Sequence, residues 1–310
     1  MHSLEKNPLV SCIIIFFNPF EHGFFKEAIG SILDQTYPNI ELILVDDGST
    51  DGSTDYTKTL AKQHPDKIKY FNHDNHLNLG MSATRNLGID KSSGQLVAFL
   101  DSDDYWSPEK ISNQVMILQK YPEIAMLFGR TRYSFENDNN EDGVYDISRF
   151  TSPSKIYNKI IKPPYQLKLY LTNSNYFPCT CSSIYRRECL LSVGGAEDEF
   201  FDAYEDQVLN SKIFSIYAVM CITECWDVYR IHENSFWRKS ANQDSSYKTY
   251  VNGRLKYLSW INKYLSKNNL YTVSLRNARI QGLARLFLLV FRYNAFKPIR
   301  YIRKKILTVF

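Results

Sequence analysis

The chain has 310 residues, of which 44% are hydrophobic and 23% are charged. That balance excludes disordered, collagen-like and small disulfide-stabilised proteins, and the length suits one large domain or two modest ones. The net charge of +4 is unevenly distributed, because residues 245–310 contain 14 Lys and Arg and no acidic residue, while residues 1–244 carry 23 basic and 33 acidic residues, a net charge of −10. We expect the acidic body to hold a metal ion or a cationic ligand, and the basic end to meet an anionic surface.

The apolar runs of the chain do not have the pattern of export or membrane insertion. The run from Ser11 to Phe17 is short and lacks a cleavage site typical of a secretory signal, so it predicts a buried strand. No segment has the roughly 20 apolar residues of a membrane-spanning helix. The six cysteines fit reduced thiols, and the pairs at 179/181 and 221/225 lack the two-residue gap usual in structural zinc sites. The sequence therefore predicts a cytoplasmic protein that is free or peripherally bound to the inner face of the cell membrane.

The first half alternates strand-like and helical patterns. Runs of strand length occur at Ser11 to Phe17, Glu41 to Val45, Ile68 to Phe71, Gln95 to Leu100 and Ala125 to Phe128. Apolar residues at helical spacing separate the first two runs, and a Ser-Pro-Glu sequence at 107–109 is typical of a helix start. This alternation predicts right-handed βαβ units, hence an α/β fold with a mostly parallel, Rossmann-like central sheet flanked by helices.

The second half is more mixed. The polar segment at 136–154 predicts an exposed insertion, and strands are expected at Thr180 to Tyr185 and Ala218 to Thr223, with a helix at Glu205 to Ile216 between them. From residue 280 onward, apolar residues at helical spacing alternate with Arg and Lys. This pattern is typical of basic amphipathic helices that lie in a membrane interface, although a helical subdomain packed on the body would show it too.

Three acidic groups occur where predicted strands end or a helix begins. Asp46 and Asp47 follow the second strand, where α/β sheets bind ligands, so they suit a nucleotide base or ribose. A solvated turn rich in Asp, Gly and Ser is the alternative. The four residues 101–104 contain three carboxylates, which repel one another unless a cation such as Mg²⁺ or Mn²⁺ lies between them. An acidic loop that caps the next helix is the alternative there.

The third acidic group is Glu205-Asp206, at the start of a predicted helix. A helix amino terminus favours an ionised carboxylate, which is the state that a general base needs. Taken alone, an acidic pair in the first turn of a helix is also ordinary.

Five segments in chain order together resemble the family 2 glycosyltransferases, which have the GT-A fold. They are Val10 to Asn18, Asp46 to Asp51, Asn78 to Asp104 with an Asp-X-Asp sequence at 101–103, Gly194 to Asp206, and Tyr229 to His232. The resemblance covers about residues 9 to 235. It implies that 1–240 is a catalytic domain, with a nucleotide-sugar-binding half at about 1–130 and an acceptor-binding half at about 131–240. Residues 241–310 would then be the basic amphipathic helical extension.

The resemblance also implies roles for individual residues. Phe17 would stack on the base of the donor nucleotide, and Asp47 would read the base edge. The other residues of the donor site would be Asn78, Arg85, Asp101 and Glu205. The metal, Mn²⁺ or Mg²⁺, would be bound by Asp101, Asp103 and His232, and Asp206 would be the catalytic base. Arg85 could instead tether its helix to the acidic loop, and His232 could be structural.

The implied reaction is inverting transfer of a sugar from a nucleotide-diphosphate sugar, UDP-linked in the first instance, to a hydroxyl of a saccharide acceptor. A lipid-linked saccharide of cell-surface polysaccharide synthesis fits a membrane-bound basic extension. The chain has Ile15-Phe16-Phe17 where the family commonly has Pro or a small polar residue before Tyr. The nucleoside of the donor could therefore be thymidine or guanosine as well as uridine.

Two other functions are less consistent with the sequence. A sugar-nucleotide pyrophosphorylase would have a glycine-rich basic loop after the first strand, where this chain has Asn18-Pro19-Phe20-Glu21. A nucleic-acid-binding module could use the basic end with its interleaved Tyr and Phe, but the body of net charge −10 opposes that use.

Overall fold

The fold is described from a computed structural model of residues 3–20, 23–135, 143–145, 156–173, 177–201, 203–232 and 244–307. Side chains are described throughout these ranges except at 143–145, 244–247, 249 and 294–307. The predicted insertion at 136–154 lies outside the described residues apart from the short strand at 143–145.

The first half of the chain folds as the alternation predicts. Its elements are β1 (Val10–Phe16), α1 (Phe24–Leu33), β2 (Ile40–Asp46), α2 (Ser53–Gln63), β3 (Ile68–Asn72), α3 (Gly80–Lys91) and β4 (Leu96–Asp101). Strand β1 pairs in parallel with β2 and β4, and β2 pairs in parallel with β3. Phe16 is aligned with Asp46, and Ile15 with Asp101. The carboxyl ends of these strands therefore meet at one edge of the sheet.

The second half extends the same sheet with mixed pairing. Its elements are β5 (Tyr105–Trp106), α4 (Lys110–Lys120), β6 (Ile124–Phe135), β7 (Gly143–Tyr145), β8 (Lys159–Ile161), α5 (Tyr165–Thr172), β9 (Ile184–Arg186), α6 (Arg187–Ser192), α7 (Glu205–Ile216) and β10 (Ala218–Ile231). Among the described residues the strand order is β3-β2-β1-β4-β9-β6-β10-β5, with β7 beside β6 and β8 beside β10. Strand β9 is antiparallel to both β4 and β6, so only the first half is purely parallel.

One predicted strand is partly wrong. Residues Thr180–Ser182 form a 3₁₀ turn, and only Ile184–Arg186 of that region is a strand. The turn is closed by backbone bonds from Ser182 N to the Cys179 carbonyl and from Ser183 N to the Thr180 carbonyl. The apolar character of the segment comes from burial against the sheet, which a turn satisfies as well as a strand does.

Both faces of the sheet are covered, which explains why its strands read as continuous apolar runs. In β1, Ile13 packs into one buried cluster with Ile43 and Val97 from the neighbouring strands, while Cys12 and Ile14 pack into a second cluster on the opposite face. The alternation along β1 therefore divides one apolar run between two cores.

Two helices follow the sheet, α8 (Asp244–Lys267) and α9 (Val273–Leu307). Buried side chains of both helices share the core that also contains α7. They are Tyr257, Leu258, Trp260, Ile261, Leu265, Leu275 and Ala278. The first part of the basic extension thus packs on the body. Within the described part of the chain, none of the helices has an apolar run sufficient to cross a bilayer.

A buried carboxylate joins β1, β2 and β3 at the end of the sheet opposite the acidic groups. Glu41 accepts hydrogen bonds from Ser11 Oγ at 2.6 Å, from Lys69 Nζ at 2.6 Å and from the backbone N–H of Ser93 at 2.7 Å. Burial alone would raise the pKa of Glu41, but the bonds from Lys69, Ser11 and Ser93 outweigh it and lower the pKa to about 2.

We predict that Glu41→Gln destabilises the protein at neutral pH by about 1–3 kcal/mol, because the buried donors Ser11 and Ser93 lose their carboxylate acceptor. A depressed pKa stabilises the folded state above the unfolded value of about 4.5, and this contribution is lost as the pH falls towards about 2. The difference between wild type and variant should therefore shrink over that interval in urea unfolding measured at several pH values. Asp90→Asn, at an exposed carboxylate, is the control. A difference that does not change with pH would contradict this account.

Candidate active site

The loop after β2 is ordered by Asp46, whose side chain is fully buried. Its Oδ1 accepts the backbone N–H of Ser49 at 2.8 Å, and its Oδ2 accepts the hydroxyls of Thr54 at 2.5 Å and Tyr70 at 3.0 Å. The pairing of Asp46 with Asp47 as two ligand-facing carboxylates is therefore wrong for Asp46, because its oxygens are used inside the protein.

Asp47 connects the same loop to helix α3. Its Oδ1 accepts the backbone N–H of Leu79 at 2.8 Å, and its Oδ2 accepts that of Gly80 at 3.1 Å. These donors lie at the amino terminus of α3, where a carboxylate is favoured. Asp47 is buried, so the structure shows it first as a link between the loop and the helix, and base recognition stays a prediction.

Gly48 allows the loop to pass close to the segment before α3. Its φ is +84°, and a Cβ there would lie 2.9 Å from both Asn78 N and the His76 carbonyl oxygen. A side chain at this position would be strained and would also clash with backbone. Asn78 itself is exposed beside this crossing.

Phe17 directly follows β1, and its ring is 53% exposed. The loop that it begins is bonded to the loop after β2: Asn18 N donates to Ser49 Oγ at 3.0 Å, and Thr50 N donates to Asn18 Oδ1 at 2.7 Å. The two loops form one unit, and Phe17 is an exposed aromatic surface at the carboxyl edge of the sheet.

The acidic segment at 101–104 has three carboxylates in different surroundings. Asp101 ends β4 and is one-third exposed, and Asp103 is exposed to a similar degree and accepts His232 Nε2 at 3.0 Å. Asp104 is fully buried, and its Oδ1 accepts the backbone N–H of Arg230 at 2.9 Å. Its Oδ2 is also buried and has no hydrogen-bond partner among the described residues.

Negative charge is in excess here. Burial raises the pKa of Asp101 to about 6, because the opposing effect of Arg85 is smaller than burial, Asp103 and Glu205 together. Burial, Asp103 and Asp101 hold the pKa of Asp104 well above its usual range. A cation at this edge would relieve both effects.

The oxygen donors fit Mg²⁺ or Mn²⁺ only if other ligands complete the set. No group of three or more His, Cys, Asp or Glu side chains converges on one point in the described ranges. Mg²⁺ commonly uses one or two carboxylates and takes its remaining ligands from substrate phosphates and water. Asp103 with Asp101 suits that arrangement, and His232 contacts Asp103 directly. Metal binding by these three residues stays a prediction.

Arg85, from α3, joins the second and third acidic groups. Its Nη2 donates to Glu205 Oε1 at 3.1 Å and lies 3.8 Å from Asp101 Oδ1. The side chain is only 2% exposed, and its guanidinium packs 4.8 Å from the centre of the Phe99 ring. These contacts are those expected if Arg85 tethers its helix to the acidic loop. They also use Glu205 Oε1 as an acceptor inside the protein.

Asp206 is the second residue of α7, and it is bonded on both oxygens. Oδ1 accepts the backbone N–H of Gln207 at 2.6 Å, and Oδ2 accepts the hydroxyl of Thr180 at 3.3 Å. Burial and Glu205 raise the pKa of Asp206 to about 8, against the lowering effect of Arg85. The expectation that the helix terminus favours the ionised form is thus outweighed. A carboxylate that titrates near neutral pH is well matched to general base catalysis.

Thr180 is a site residue that sequence reasoning missed. It lies 26 positions before Asp206, within the 3₁₀ turn at Thr180–Ser182, and no motif connects the two.

Arg230 is a second such residue. The sequence singles it out only as part of a motif, but its Nη1 also donates to the Asp103 carbonyl at 3.1 Å. Its place in the Tyr229 to His232 segment was the only signal in the sequence, because the contact with Asp103 joins residues 127 positions apart.

Helix α3 also holds the turn that contains Gly195. The side chain of Asn86 donates to the Ala196 carbonyl at 3.0 Å and accepts the Ala196 N–H at 2.8 Å. Ser82 Oγ donates to the Phe200 carbonyl at 2.8 Å. The segments that resemble one family in sequence therefore meet in space around α3.

Comparison with known proteins agrees with this fold. A sequence model described as glycosyl transferase family 2 matches residues 11–194, more than half of the chain. An uncharacterized glycosyltransferase of Nostoc sp. (strain PCC 7120 / SAG 25.82 / UTEX 2576) is 30% identical over 209 residues, which are 67% of this chain and 61% of that protein. The putative teichuronic acid biosynthesis glycosyltransferase TuaG of Bacillus subtilis (strain 168) is 36% identical over 129 residues, 41% of this chain and 47% of TuaG.

Solved structures show the same architecture. The structure of S. aureus TarS 1–349 in complex with UDP-GlcNAc has a TM-score of 0.54 at 16% identity. The match covers 90% of this chain and 80% of the TarS chain. The mannosyltransferase PcManGT from Pyrobaculum calidifontis, in complex with GDP-Man and Mn²⁺, has a TM-score of 0.53 at 18% identity. That match covers 96% of this chain and 84% of the PcManGT chain. At these identities the likeness establishes the GT-A fold alone.

The matched range 11–194 contains Phe17, Asp47, Asn78, Arg85 and the acidic segment at 101–104. The residues at 205, 206 and 232 lie beyond it, on elements that the structure brings back to the same edge through Arg85 and Asp103. With its family match over more than half its length, and with the strand ends and motif segments assembled at one edge, the chain belongs to glycosyl transferase family 2.

Proposed function

We propose that this protein is an inverting glycosyltransferase that moves a sugar from a UDP-sugar to a hydroxyl of a lipid-linked saccharide. The observation that carries the proposal is the meeting of Asp206 with the acidic end of β4 through Arg85. Asp206 titrates near pH 8, and Arg85 lies within 3.8 Å of Asp101 and 3.1 Å of Glu205. The proposed base and the proposed phosphate-side carboxylates are thus linked through one arginine at the carboxyl edge of the sheet.

The donor would bind at the carboxyl edge of β1, β2 and β4, as ligands of α/β sheets do. The exposed ring of Phe17 would stack on the base, with Asp47 and Asn78 near the base edge and Asp101 near the ribose. The choice of UDP is supported by the likeness to TarS with UDP-GlcNAc, while PcManGT, of similar fold, contains GDP-Man. The base that this chain prefers is part of the proposal.

Asp103 and Asp101 would hold a divalent ion, with His232 against Asp103 at 3.0 Å. When bound, such an ion offsets charge on the departing diphosphate. The contribution of the chain itself is orientation. Arg230 donates to the backbone carbonyl of Asp103 and forms an ion pair with Glu27 at 2.6 Å, which helps to keep the acidic segment in place.

Asp206 would take the proton from the acceptor hydroxyl. The hydroxyl oxygen forms a bond to the anomeric carbon as the bond from that carbon to the diphosphate oxygen breaks on the opposite face, so the configuration inverts. The electron pair leaves with the diphosphate, and the proton ends on Asp206. Thr180 donates to Asp206 Oδ2 and so fixes the direction of the carboxylate.

The acceptor is proposed from the class of the relatives and from the exposed face of α9. TuaG is named as a putative teichuronic acid biosynthesis glycosyltransferase, which is consistent with a saccharide acceptor. Along α9, apolar side chains at intervals of seven and four residues face solvent: Val273, Ile280, Phe287 and Phe291. Arg276, Arg285 and Arg292 are exposed on the same helix. An apolar stripe with cations beside it suits the surface of an anionic membrane.

We predict that Asp206→Asn lowers sugar transfer by about 10²- to 10⁴-fold, the usual contribution of a general base. Donor affinity should stay within about twofold, since the substitution keeps the shape of the side chain and donor contacts lie elsewhere. Asp198→Asn, at an exposed carboxylate before α7, is the matched control. Transfer by Asp206→Asn at close to the wild-type rate would disprove the base assignment.

The same variant should be at least as stable as wild type, which separates loss of the base from loss of the fold. A pKa raised from 3.8 to about 8 favours the protonated form, so Asp206 stabilises the folded state below about pH 4 and loses that effect as the pH rises through 8. The melting temperature of Asp206→Asn should equal that of wild type near pH 4 and exceed it near pH 8.

We predict that Asp103→Ala removes the effect of Mn²⁺ on UDP binding. Calorimetry with wild type should show at least about tenfold tighter UDP binding with Mn²⁺, equivalent to about 1.4 kcal/mol. The variant should bind UDP equally with and without the metal, whereas the exposed-site control Asp66→Ala should behave as wild type. Retention of the full metal effect in Asp103→Ala would exclude Asp103 as a ligand.

We predict that Phe287→Ser with Phe291→Ser weakens binding to vesicles of anionic phospholipid by at least about tenfold, because each phenylalanine contributes about 1.5–3 kcal/mol when it leaves water. These rings are 68% and 72% exposed. Met116→Ser, at an exposed apolar residue of α4, is the control in co-sedimentation. Unchanged vesicle binding, or light scattering that shows the stripe joining two copies of the chain, would refute a membrane contact here.

A further inference from the structure

Tyr204, the residue immediately before Glu205 and Asp206, has a backbone conformation that a bulky side chain rarely adopts. Its φ is +71° and its ψ is 4°, in the left-handed region, and it occupies the N-cap position of α7. Such a conformation persists only where the surroundings hold it in place. The residues that hold Tyr204 therefore also determine where the first turn of α7 begins.

Those surroundings come from helix α8. The Tyr204 ring lies nearly parallel to the Tyr257 ring, with 6.1 Å between centres and 27° between planes. Its hydroxyl donates to the Tyr250 carbonyl at 3.4 Å. At Gly253 the ring lies directly against the helix backbone, because an added Cβ would be 2.5 Å from Tyr204 Cε2.

Helix α8 is in turn fixed to the body by a buried arginine. Arg254 Nη2 donates to the carbonyls of Tyr170 at 2.9 Å and Leu171 at 3.3 Å, both in α5. Its guanidinium lies 4.6 Å from the ring centre of Tyr170 and 5.0 Å from that of Tyr257. The Tyr257 hydroxyl is 2.6 Å from Ser211 Oγ in α7. The helix that supports Tyr204 is thus anchored on α5 and on α7 itself.

We infer that α8 positions the base, with Tyr204 and Gly253 as positioning residues that act through Asp206. The inference rests on the proposed function, since it presumes that Asp206 takes the proton. Tyr204 touches α8 on one side and is covalently two residues from Asp206 on the other, so a shift of the ring turns the first turn of α7. A displacement of about 1 Å at a reacting group can cost about 10²-fold in rate. The basic extension is then part of the catalytic machinery.

Gly253→Ala tests this directly. Alanine favours a helix more than glycine does, so the intrinsic effect on α8 is stabilising. The new methyl group nevertheless pushes the Tyr204 ring away from the helix. We expect kcat to fall by about 10- to 100-fold, with the KM for the donor unchanged, because the donor contacts lie at the ends of β1, β2 and β4.

Gly30→Ala is the matched control. Gly30 is inside helix α1, and a Cβ there would meet no atom within 4 Å. It should leave kcat and KM at wild-type values. A purely structural role for Gly253 would lower the melting temperature without a selective loss of kcat, and that pattern would overturn the inference.

A second variant covers the case in which Gly253→Ala folds poorly. Tyr204→Gly keeps the left-handed conformation without strain and removes the ring. In that background Gly253→Ala has nothing to push, so the double variant should have the kcat of Tyr204→Gly alone. Losses that multiply instead would show that Gly253 does not act through Tyr204 and would overturn the inference.

The Asp206→Asn background separates this inference from the proposed function. If Gly253 acts through the base, Gly253→Ala lowers the residual kcat of Asp206→Asn no further. High turnover of Asp206→Asn would defeat the proposed function itself, whatever Gly253→Ala does. A slow Asp206→Asn together with a Gly253→Ala variant of wild-type kcat would defeat only the positioning by α8.

Discussion

The buried ion pairs of Arg85 are the constraint on which the assembled site depends. A guanidinium that is 2% exposed is costly to bury unless hydrogen-bond acceptors or carboxylates face it, and here Glu205 and Asp101 do so. Since Arg85 belongs to α3, Asp101 to β4 and Glu205 to α7, one side chain sets the spacing of three elements. Its Nε has no hydrogen-bond partner among the described residues, so its compensation comes from Glu205, Asp101 and the Phe99 ring. Removing Glu205 would leave the charge only partly compensated and would break the link between α7 and the end of β4.

The aspartates of the site lower the stability of the folded protein when they are ionised. Asp101, Asp104 and Asp206 all have a raised pKa, with burial as the largest cause, and Arg85 opposes this effect at Asp101 and Asp206 only. Such a set destabilises the folded protein at neutral pH relative to apolar or amide side chains. Sites that keep charge under these conditions are those where a ligand or a reaction uses it. The network around Glu41, at the other end of β2, is the opposite case, because every oxygen there is paired and the pKa falls.

The strands β1, β2 and β4 were predictable from sequence because they are buried on both faces and their apolar runs end at polar loops. The same argument located Asp47 and Asp101 at one edge. It could not separate Asp46 from Asp47, since the difference lies in partners such as Tyr70, 24 positions away. It also could not predict the 3₁₀ turn that brings Thr180 to Asp206, or the raised pKa of Asp206, since burial and the position of Arg85 are properties of the folded chain. Whether the proposed donor and metal residues act as the resemblance implies is a question of ligand contacts, which no sequence pattern determines.

The basic extension looked electrostatically separate from the acidic body, and the structure changes how the two parts relate. Its first arginine, Arg254, is buried, and its contacts are backbone carbonyls at Nη2 and aromatic rings instead of carboxylates. Its exposed arginines lie on α9 beside the apolar stripe of Val273, Ile280, Phe287 and Phe291. Helix α8 packs on α7, and α9 packs on α5, within one core. The apolar stripe of α9 is therefore connected to Asp206 through packed side chains. If the proposed acceptor is held at that surface, it would meet the proposed base Asp206 on the same helices, which would give the proposed membrane contact and the proposed positioning role of α8 a common basis.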